Sequence, residues 1–405
     1  MTAPPRWLTI LGIGEDGVEG LAPAARGALA GAAIVYGGAR HLALAAPLIT
    51  GAARPWPRPL GAALPGLLAA RPSPVTVLAS GNPFWFGIGA ALARHVPMAE
   101  LRCLPAPSAF ALACARLGWP LAEVAALSLC GRDVATLIPH LHPNARLLVL
   151  SADAATPAAV AALLCARGFG ASSLHLLEAL GGRRERMRTL AATDWLPADI
   201  DPLNLLGIEL AAAADALVVP LGSGLADEMF VHDGQLTKQE VRAITLAALA
   251  PRQGEMLWDV GAGSGSVGVE WLLRHPANAA VAIERHPARA ARAAANAAAL
   301  GVPRLRIIEG AAPAALAGLP VPDAVFLGGG AEQPEVLAAA WAALRPGGRM
   351  VANAVTIQTE QVLLAARQRH GGTLRRISLE RLDALGALHA FRPAMTVTQW
   401  AATKR

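Results

Sequence analysis

Residues 256–268 read MLWDVGAGSGSVG, and they decide how the C-terminal half of this 405-residue chain folds. An apolar run, 256–260, precedes glycines at alternate positions, beginning with Gly261. Glycines between a strand and a helix let the backbone approach a ligand closely, and the amides at a helix N-terminus favour electron-rich groups. The segment therefore predicts a strand, a ligand-binding loop and a helix, in that order.

The same loop narrows the choice of cofactor. A G-x-G-x-x-G spacing that starts at Gly263 fits the dinucleotide fingerprint, so NAD is one candidate. Two details favour a methyl donor: Asp259 lies two positions before the first glycine, and three glycines alternate from Gly261. Glu284 follows 23 residues after Gly261, where a carboxylate accepts both ribose hydroxyls of NAD or of S-adenosylmethionine (SAM).

The flanking sequence extends this unit into a βαβ series. Thr237 and Glu240 have the spacing of a capping box, which predicts a helix over 237–250 with Thr237 as its N-cap. A Pro-Gly-Gly turn at 346–348 precedes the last strand of the series. The pattern is typical of a Rossmann-like sheet with strands at 256–260, 280–283, 305–308, 324–327 and 349–354.

The N-terminal half also alternates short apolar runs with alanine-rich stretches, which predicts a second α/β unit. Its first strand leads into the glycine turn GIGEDG at 12–17. The next strand ends without an acidic residue, so an NAD site lacks its ribose carboxylate here. We predict domains at 1–210 and 235–405 joined by a linker at 211–234. The N-terminal strands are predicted at 8–13, 33–36, 75–79, 124–129, 147–150 and 203–210.

Composition bounds the class of protein. Apolar residues make up 54% of the chain and charged residues 16%, enough for well-packed cores. The longest charge-free run, 72–93, is interrupted by prolines and glycines, so it does not resemble a membrane span. No basic region with a following apolar run opens the chain, so we expect a soluble, cytoplasmic protein. The cysteines form no CxxC pair, which predicts buried free thiols and no metal site.

The basic residues indicate an anionic partner. The formal net charge is +6, and only Lys238 and Lys404 among the 35 basic residues are lysines. Arginine binds carboxylates and phosphates with a planar fork, although a GC-rich genome also explains the surplus. Residues 327–334 lack the polar-proline-aromatic clamp typical of base and protein-nitrogen methylases, and aromatics make up only 4%. A substrate with many carboxylates is therefore favoured over nucleic acid.

Several motifs resemble known families. The segments HDGQLTK (232–238), EVR (240–242), IER (283–285) and EGAAP (309–313) resemble the decarboxylating methyltransferases of cobalamin biosynthesis, which have the class I SAM-dependent fold. In the N-terminal half the resemblance is to the tetrapyrrole methylases, which have a two-lobed class III α/β fold. The motifs there are the turn at 12–17, GGARH (37–41), SGNP (80–83), PAPSAF (105–110) and GR (131–132).

The resemblance implies an activity. It implies one SAM per domain and C-methylation of a precorrin at carbon 5 by the N-terminal domain. It implies methylation at carbon 15, with loss of the ring C acetate carboxylate, by the C-terminal domain (precorrin-6B to precorrin-8). It also implies a homo-oligomer without nucleic-acid or membrane partners. Asn82 and Cys130 depart from the family pattern, so a chain with one active domain is an alternative, as is a nucleic-acid methyltransferase.

The resemblance also implies site residues. In the N-terminal domain the predicted SAM-binding residues are Gly12, Gly14, Ser80, Gly81, Asn82, Ser108 and Ala109. In the C-terminal domain they are Thr237, Gly261, Ala262, Gly263, Ser264, Gly265, Glu284, Gly310, Ala311 and Ala312. Candidate catalytic residues are Arg40, His41 and Arg132, which would hold substrate carboxylates, together with His232 and Asp233 at the mouth of the second site.

Overall fold

The computed structural model describes residues 6–405 and divides them into two compact units. The first unit holds the described residues up to Val134 together with His142–Leu217, and the second holds Ala135–Leu141 together with Val218–Arg405. The division at Leu217 lies inside the predicted linker 211–234. Val219, Leu225 and Phe230 are buried, so the later part of this segment is a packed component of the second unit.

The first unit contains two sheets, each accompanied by helices. Its strands are β1 (Leu8–Ile13), β2 (Ile34–Gly37), β3 (Ala52–Pro55), β4 (Val75–Ser80), β5 (Leu101–Leu104), β6 (Val124–Ser128), β7 (Arg146–Leu150), β8 (Ser173–Glu178), β9 (Arg186–Ala191) and β10 (Asn204–Glu209). Its helices are α1 (Pro23–Ala30), α2 (Ala39–Ala45), α3 (Leu64–Ala69), α4 (Gly89–Leu92), α5 (Ala109–Leu117) and α6 (Thr156–Ala166).

The two sheets of this unit form its two lobes. The first sheet has the order β3-β2-β4-β1-β5 and every pairing in it is parallel. The second has the order β6-β7-β10-β8-β9 and is antiparallel except between β6 and β7. In the first sheet the carboxyl ends of β2, β4 and β1 therefore lie side by side, which is where ligands bind in open α/β sheets.

The second unit has a seven-stranded sheet and a separate hairpin. Its helices are α7 (Gln239–Leu249), α8 (Ser266–Arg274), α9 (Pro287–Ala299), α10 (Pro334–Ala343) and α11 (Ile357–His370). Its strands are β11 (Met256–Val260), β12 (Ala279–Glu284), β13 (Arg306–Glu309), β14 (Ala324–Leu327), β15 (Arg349–Ala354), β16 (Thr373–Ile377), β17 (Glu380–Leu385), β18 (Leu388–Pro393) and β19 (Val397–Thr403).

The large sheet has the order β13-β12-β11-β14-β15-β19-β16, parallel up to β15 and antiparallel beyond it. The strand order reverses at β11, which pairs with β12 on one side and with β14 on the other. β17 and β18 form an antiparallel hairpin outside this sheet. The strands predicted from apolar runs are confirmed, whereas β3, β5, β8, β9 and β16–β19 were not predicted.

Two local predictions are wrong. Helix α7 begins after Lys238, without a side-chain cap, because the carbonyl of Thr237 accepts a hydrogen bond from the Arg242 guanidinium. Glu240 pairs instead with Arg381, so no capping box forms. The four thiols are also not all buried: Cys114 is buried and Cys103 is partly so, but Cys130 and Cys165 are exposed. Among residues 6–405 no helix has both the length and the apolarity needed to cross a membrane.

A buried ion pair joins the start of the second unit to its core. Arg242 on α7 and Glu270 on α8 are both fully buried, with 2.5 Å between Nε and Oε1. Glu270 also accepts the backbone amides of Gly224 at 2.7 Å and Leu225 at 2.9 Å. Arg242 donates to the carbonyl of Leu225 and lies over the Phe230 ring at 4.7 Å. This network fixes the 218–238 segment against the two helices.

We expect Glu270→Ala to lower the free energy of unfolding of the second unit by about 3–5 kcal/mol, because it removes the buried carboxylate that pairs with Arg242 and accepts two backbone amides. Of the described residues, only Asp227, 3.3 Å from Arg242 Nη1, then remains to pair with the Arg242 charge. Urea unfolding followed by tryptophan fluorescence measures this change. Asp383→Ala, which breaks the exposed Arg392–Asp383 pair, is the matched control and should cost under about 1 kcal/mol. Equal effects of the two variants would contradict a structural role for the buried pair.

Candidate functional site

In the second unit the glycine loop packs backbone against backbone at the point where the strand order reverses. Gly261 N donates to the carbonyl of Ile283 on β12 at 2.9 Å, and Gly328 N donates to that of Val260 on β11 at 2.9 Å. A Cβ at Gly261 would lie 2.6 Å from the nitrogen of Gly329, and the φ of Gly261 is +69°. Only glycine meets both conditions, so the loop keeps the floor of the site open.

Glu284 is held in a fixed position at the end of β12. Its Oε2 accepts the amide of Gly263 and its Oε1 accepts the amide of His286, each at 2.9 Å. The residue is 4% exposed yet lines the cavity above the loop. Each carboxylate oxygen has a further lone pair, so Glu284 can accept hydrogen bonds from a pair of ligand hydroxyls. The ribose contact of Glu284 stays a prediction.

Asp259 lies beneath the loop and is 1% exposed. Its Oδ2 accepts the amide of Gly268 at 2.8 Å, while its Oδ1 has no partner among the described residues. Burial, opposed by the Gly268 bond and assisted by the nearby Glu284 charge, raises the pKa of Asp259 to about 7. The carboxyl group of Asp259 is therefore partly protonated at neutral pH.

A cavity of about 690 Å³ opens above these residues. Eight of the predicted SAM residues line it: Thr237, Gly261, Ala262, Gly263, Glu284, Gly310, Ala311 and Ala312. Ser264 and Gly265 do not. Ser264 is buried and its carbonyl accepts a bond from Asn296 at 2.9 Å, and Gly265 precedes α8 with a φ of +76°. These two residues shape the loop and do not face the cavity.

His232 and Asp233 lie outside the cavity lining as well. His232 Nδ1 accepts the amide of Gly234 at 3.0 Å. Asp233 pairs with Arg289 at 2.9 Å and Arg292 at 3.1 Å, and the hydrogen bond from Arg289 holds the pKa of Asp233 far below its ordinary value. Because Arg289 does line the cavity, Asp233 positions a cation at the site edge.

Sequence reasoning missed one wall of the cavity. It is built from the segments around the β17–β18 hairpin and from the two residues that follow Glu284. The alternation of polar and apolar residues about Gly386 is the signal that predicts such a hairpin. The lining residues of this wall are Arg285, His286, Ile377, Leu379, Arg381, Ala394, Met395 and Val397, and Arg289 of α9 lies beside them.

In the first unit three separate motifs meet at the carboxyl ends of the strands. Gly81 N donates to the carbonyl of Ile13 at 3.3 Å, and Ala106 N donates to that of Gly81 at 3.0 Å. A Cβ at Gly12 would overlap the Gly81 carbonyl and lie 2.6 Å from Ala106 N, and one at Gly81 would lie 2.8 Å from the Cα of Ser108. The glycine turn, the SGNP loop and the PAPSAF segment therefore form one closely packed cluster.

The remaining predicted residues of this cluster form its turns. Gly14 accepts the amide of Gly17 at 3.1 Å, which closes the turn after β1. Ser108 is the N-cap of α5, with its Oγ accepting the amide of Ala111 at 3.2 Å, and Ala109 is the first helical residue. Asn82 Oδ1 accepts the amide of Phe84 at 3.0 Å. An amide oxygen thus makes the turn contact that an aspartate oxygen could also make, so this bond needs no negative charge at position 82.

Arg40, His41 and Ser80 come together from the ends of β2 and β4. Arg40 Nη2 lies 2.9 Å from both His41 Nε2 and Ser80 Oγ, and these two atoms lie 2.9 Å apart. Arg40 also pairs with Glu15, a residue of the glycine turn that sequence reasoning did not select. Burial, followed by the Arg40 charge, lowers the pKa of His41 to about 4. His41 is therefore neutral at physiological pH, with Nε2 as an acceptor.

Arg132 lies with a different set of side chains. Its Nη1 donates to the carbonyl of Ser128 at 2.9 Å, and its guanidinium carbon is 5.4 Å from the centre of the Phe86 ring. Nearby, the exposed Cys130 donates from Sγ to the carbonyl of Ser151 at 3.4 Å. Arg132 thus lies against the aromatic segment 84–86, which follows Asn82.

The site of the second unit fits the cofactor that the sequence predicts. Around the cavity of the second unit, a carboxylate, open backbone amides and glycines without Cβ suit a ribose and an adenine, while apolar segments complete the wall. Residues 8–194 match the model of the tetrapyrrole (corrin/porphyrin) methylases, and residues 228–404 match that of the precorrin methyltransferase domain. The fold and the two sites thus define a methyltransferase with one domain of each kind.

Similar proteins narrow this class. A precorrin-6Y C(5,15)-methyltransferase (decarboxylating) from Sinorhizobium sp. is 53% identical over 98% of this chain and 96% of that protein. One from Mycobacterium tuberculosis is 41% identical over 98% of this chain and its own whole length. A cobalt-precorrin-6B C(15)-methyltransferase (decarboxylating) from Salmonella typhimurium is 35% identical over 42% of this chain and 90% of that protein. The chain belongs to the precorrin-6Y C(5,15)-methyltransferase (decarboxylating) family.

We expect Arg40→Gln to raise the pKa of His41 above its value of about 4, because the variant removes the repulsion between the two charges. The pKa should stay below 6.5, since burial is the larger cause. NMR titration of the imidazole, assigned by comparison with His41→Gln, measures it. Arg94→Gln, at an exposed arginine of the same unit, should leave the titration unchanged. No response to Arg40→Gln would contradict the observed contact.

Asp259 predicts a pH-dependent stability of the second unit. Its pKa is higher in the folded chain than the ordinary 3.8, so its contribution is complete below pH about 4 and is lost as the pH rises through about 7. We expect Asp259→Asn to remove this loss, worth about 4 kcal/mol at pH 8. About 2–3 kcal/mol of this loss falls between pH 5 and pH 8, and urea unfolding at these two pH values measures it, with Asp383→Asn, at an exposed carboxylate of the same unit, as control. An unchanged pH dependence in Asp259→Asn would refute the assignment.

Proposed function

We propose that this chain transfers two methyl groups from SAM to carbons of one precorrin and removes one carboxyl group from it, with one SAM site in each domain. The observation that carries the proposal is the presence of two separate glycine-loop sites in one chain, each within the matched range of a different methyltransferase model. The names of the full-length relatives, which specify positions 5 and 15 and decarboxylation, support it.

We assign methylation at carbon 15 and decarboxylation to the C-terminal domain. The Salmonella typhimurium relative, named for these two steps alone, aligns over 176 residues, close to the length of the 228–404 match. Methylation at carbon 5 then falls to the N-terminal domain. The domain limits 1–210 and 235–405 remain our proposal, with residues from 218 onward packed on the second unit.

The chemistry asks the chain for alignment and exclusion of water. SAM, when bound, would supply an electrophilic methyl group to an electron-rich meso carbon of the substrate in a direct displacement. The new C–C bond would form as the methyl–sulfur bond breaks, and its electron pair would leave with sulfur in S-adenosylhomocysteine. In the second unit Glu284 would hold the ribose, and the open loop at Gly261 would let the cofactor lie on the backbone. A fixed donor and a fixed acceptor carbon remove most of the entropic cost of the encounter.

The apolar cavity wall formed by the segments around the hairpin suits the decarboxylation step. Leu379, Ala394 and Met395 present apolar surface at the cavity, so a carboxylate placed there loses solvation. As carbon dioxide leaves, the electron pair of the broken C–C bond passes into the protonated macrocycle, and no metal is required for that step. Arg381, held by Glu240 at 2.6 Å, supplies a cation for another carboxylate of the substrate.

In the first unit the Arg40–His41–Ser80 cluster would face carbon 5 of the substrate, the methylation site that we assign to the N-terminal domain. Arg40 retains exposed surface for a substrate carboxylate, since its side chain is 36% exposed. His41 is neutral and its Nε2 accepts hydrogen bonds, so it can take the proton that the carbon loses after methylation. Because the pKa of His41 is low, the protonated imidazole would pass the proton on to solvent and would not stay charged.

We also propose that the chain forms a homo-oligomer. The β17–β18 hairpin exposes Leu382, Leu385, Leu388 and Phe391, each by more than half. Leu382 and Phe391 are cross-strand partners on one face of the hairpin, and Leu385 and Leu388 are partners on the other. Exposed apolar side chains on a hairpin outside the main sheet are typical of contacts between protein chains. A second copy of the chain is available wherever this protein is made, so we propose it as the partner.

The two-site proposal is tested with SAM titration calorimetry and product mass. Wild type should bind two SAM per chain, and Gly263→Arg and Gly81→Ala should each bind one, because each blocks a different loop. With a precorrin substrate, Gly263→Arg should yield no loss of carbon dioxide, whereas Gly81→Ala should reduce methylation at carbon 5. Gly27→Arg is the control, since nothing lies within 4 Å of a Cβ there.

Either of two results would contradict the proposal. A wild-type chain that binds a single SAM would refute one cofactor per domain. Loss of decarboxylation in Gly81→Ala, with decarboxylation intact in Gly263→Arg, would reverse the assignment of the steps to the domains.

A further inference from the structure

Three consecutive aromatic residues stand exposed beside the N-terminal site. Phe84, Trp85 and Phe86 directly follow the SGNP loop and are 41%, 37% and 48% exposed. Aromatic residues are only 4% of this chain, so such a run is uncommon within it. None of the three rings is among the buried residues of the described core clusters of the first unit.

The run is rigidly held. The amide of Phe84 donates to Asn82 Oδ1 at 3.0 Å, and the amide of Trp85 donates to the Asn82 carbonyl at 3.1 Å. Trp85 stacks on Phe110 with 5.3 Å between ring centres, and Phe86 lies 5.9 Å from the same ring. Phe110 is buried in α5, the helix that Ser108 caps. Trp85 and Phe86 thus pack against the helix that begins at Ser108, one of the predicted SAM-binding residues.

The backbone of Phe86 is strained at this position. Its φ is +53°, in the left-handed region that a phenylalanine rarely adopts. Glycine adopts this region without strain, and a residue that persists there is a candidate for function. The ring of Phe86 is what a glycine would lack, and it is the ring over which Arg132 lies at 5.4 Å.

We propose that Phe84, Trp85, Phe86 and Arg132, the aromatic platform, bind the face of the tetrapyrrole during methyl transfer by the N-terminal domain. The inference rests on the proposed function and names the residues that determine which acceptor the N-terminal site takes. The rings offer apolar contact to the macrocycle, and the exposed Arg132 offers a cation to a peripheral carboxylate.

Two observations favour a tetrapyrrole over other occupants. The platform is continuous with the site, since Ser80 contacts Arg40 and His41 only four residues before Phe84. Its composition, adjacent rings with a cation at one side, complements a broad apolar ring system that carries carboxylates at its rim. A second copy of the chain is the occupant proposed for the exposed apolar side chains of the β17–β18 hairpin.

The test uses uroporphyrin, a metal-free porphyrin with eight carboxylates, as the probe for the full-length chain. Titration calorimetry compares wild type with Phe86→Gly, which removes the ring and relieves the backbone, and with Arg132→Gln. Each variant should weaken one class of porphyrin site at least tenfold while SAM affinity changes less than twofold. Leu196→Ala, at a side chain that is 91% exposed in the same unit, is the matched control and should have no effect.

Several outcomes would overturn the platform. These are unchanged porphyrin affinity in Phe86→Gly and Arg132→Gln, an equal loss in Leu196→Ala, or a change in association state by sedimentation with porphyrin affinity intact. Product mass separates this inference from the proposed function. If wild type transfers no methyl group to a precorrin while the variants still weaken porphyrin binding, the reaction fails and the platform stands. Full methylation at carbon 5 by both variants would refute it.

Discussion

Contact between glycine backbones at the carboxyl ends of parallel strands is the constraint on which both sites depend. Gly261 packs against Gly329 in the second unit, and Gly12 packs against Gly81 in the first. In each case there is no room for a Cβ, so two loops from distant parts of the sequence can lie against each other. The approach leaves amides and carbonyls open at the strand ends, where a cofactor can use them.

Ion pairs complete what the glycines begin. Arg242 and Glu270 hold the 218–238 segment against α7 and α8, and that segment leads directly into the cavity wall at 234–238. Asp233 then positions Arg289 at the edge of the same cavity. In the first unit Arg40 joins Glu15 of the glycine turn to His41 and Ser80. The charged residues therefore order loops around each site.

Much of the fold could be predicted because buried parallel strands are continuous apolar runs. Leu8–Ile13 carries no charge and Met256–Val260 carries only Asp259, and the structure has both strands at the predicted bounds. β9 and the β17–β18 hairpin were missed because their side chains are largely exposed and carry charges. The N-cap at Thr237 failed for another reason: its carbonyl serves Arg242, a residue whose burial no local pattern reveals.

The sequence by itself determined the two α/β units, the glycine loops and the placement of Glu284, because these depend on local spacing and on the chain order of strands. Only the tertiary structure decided that Ser264 and Gly265 turn away from the cavity, that Asp233 binds two arginines, and that the hairpin segments supply a wall. It also decided the pKa of His41 and the placement of Arg132 over Phe86. Those features arise from neighbours far apart in the chain, whose distance and burial exist only once the chain has folded.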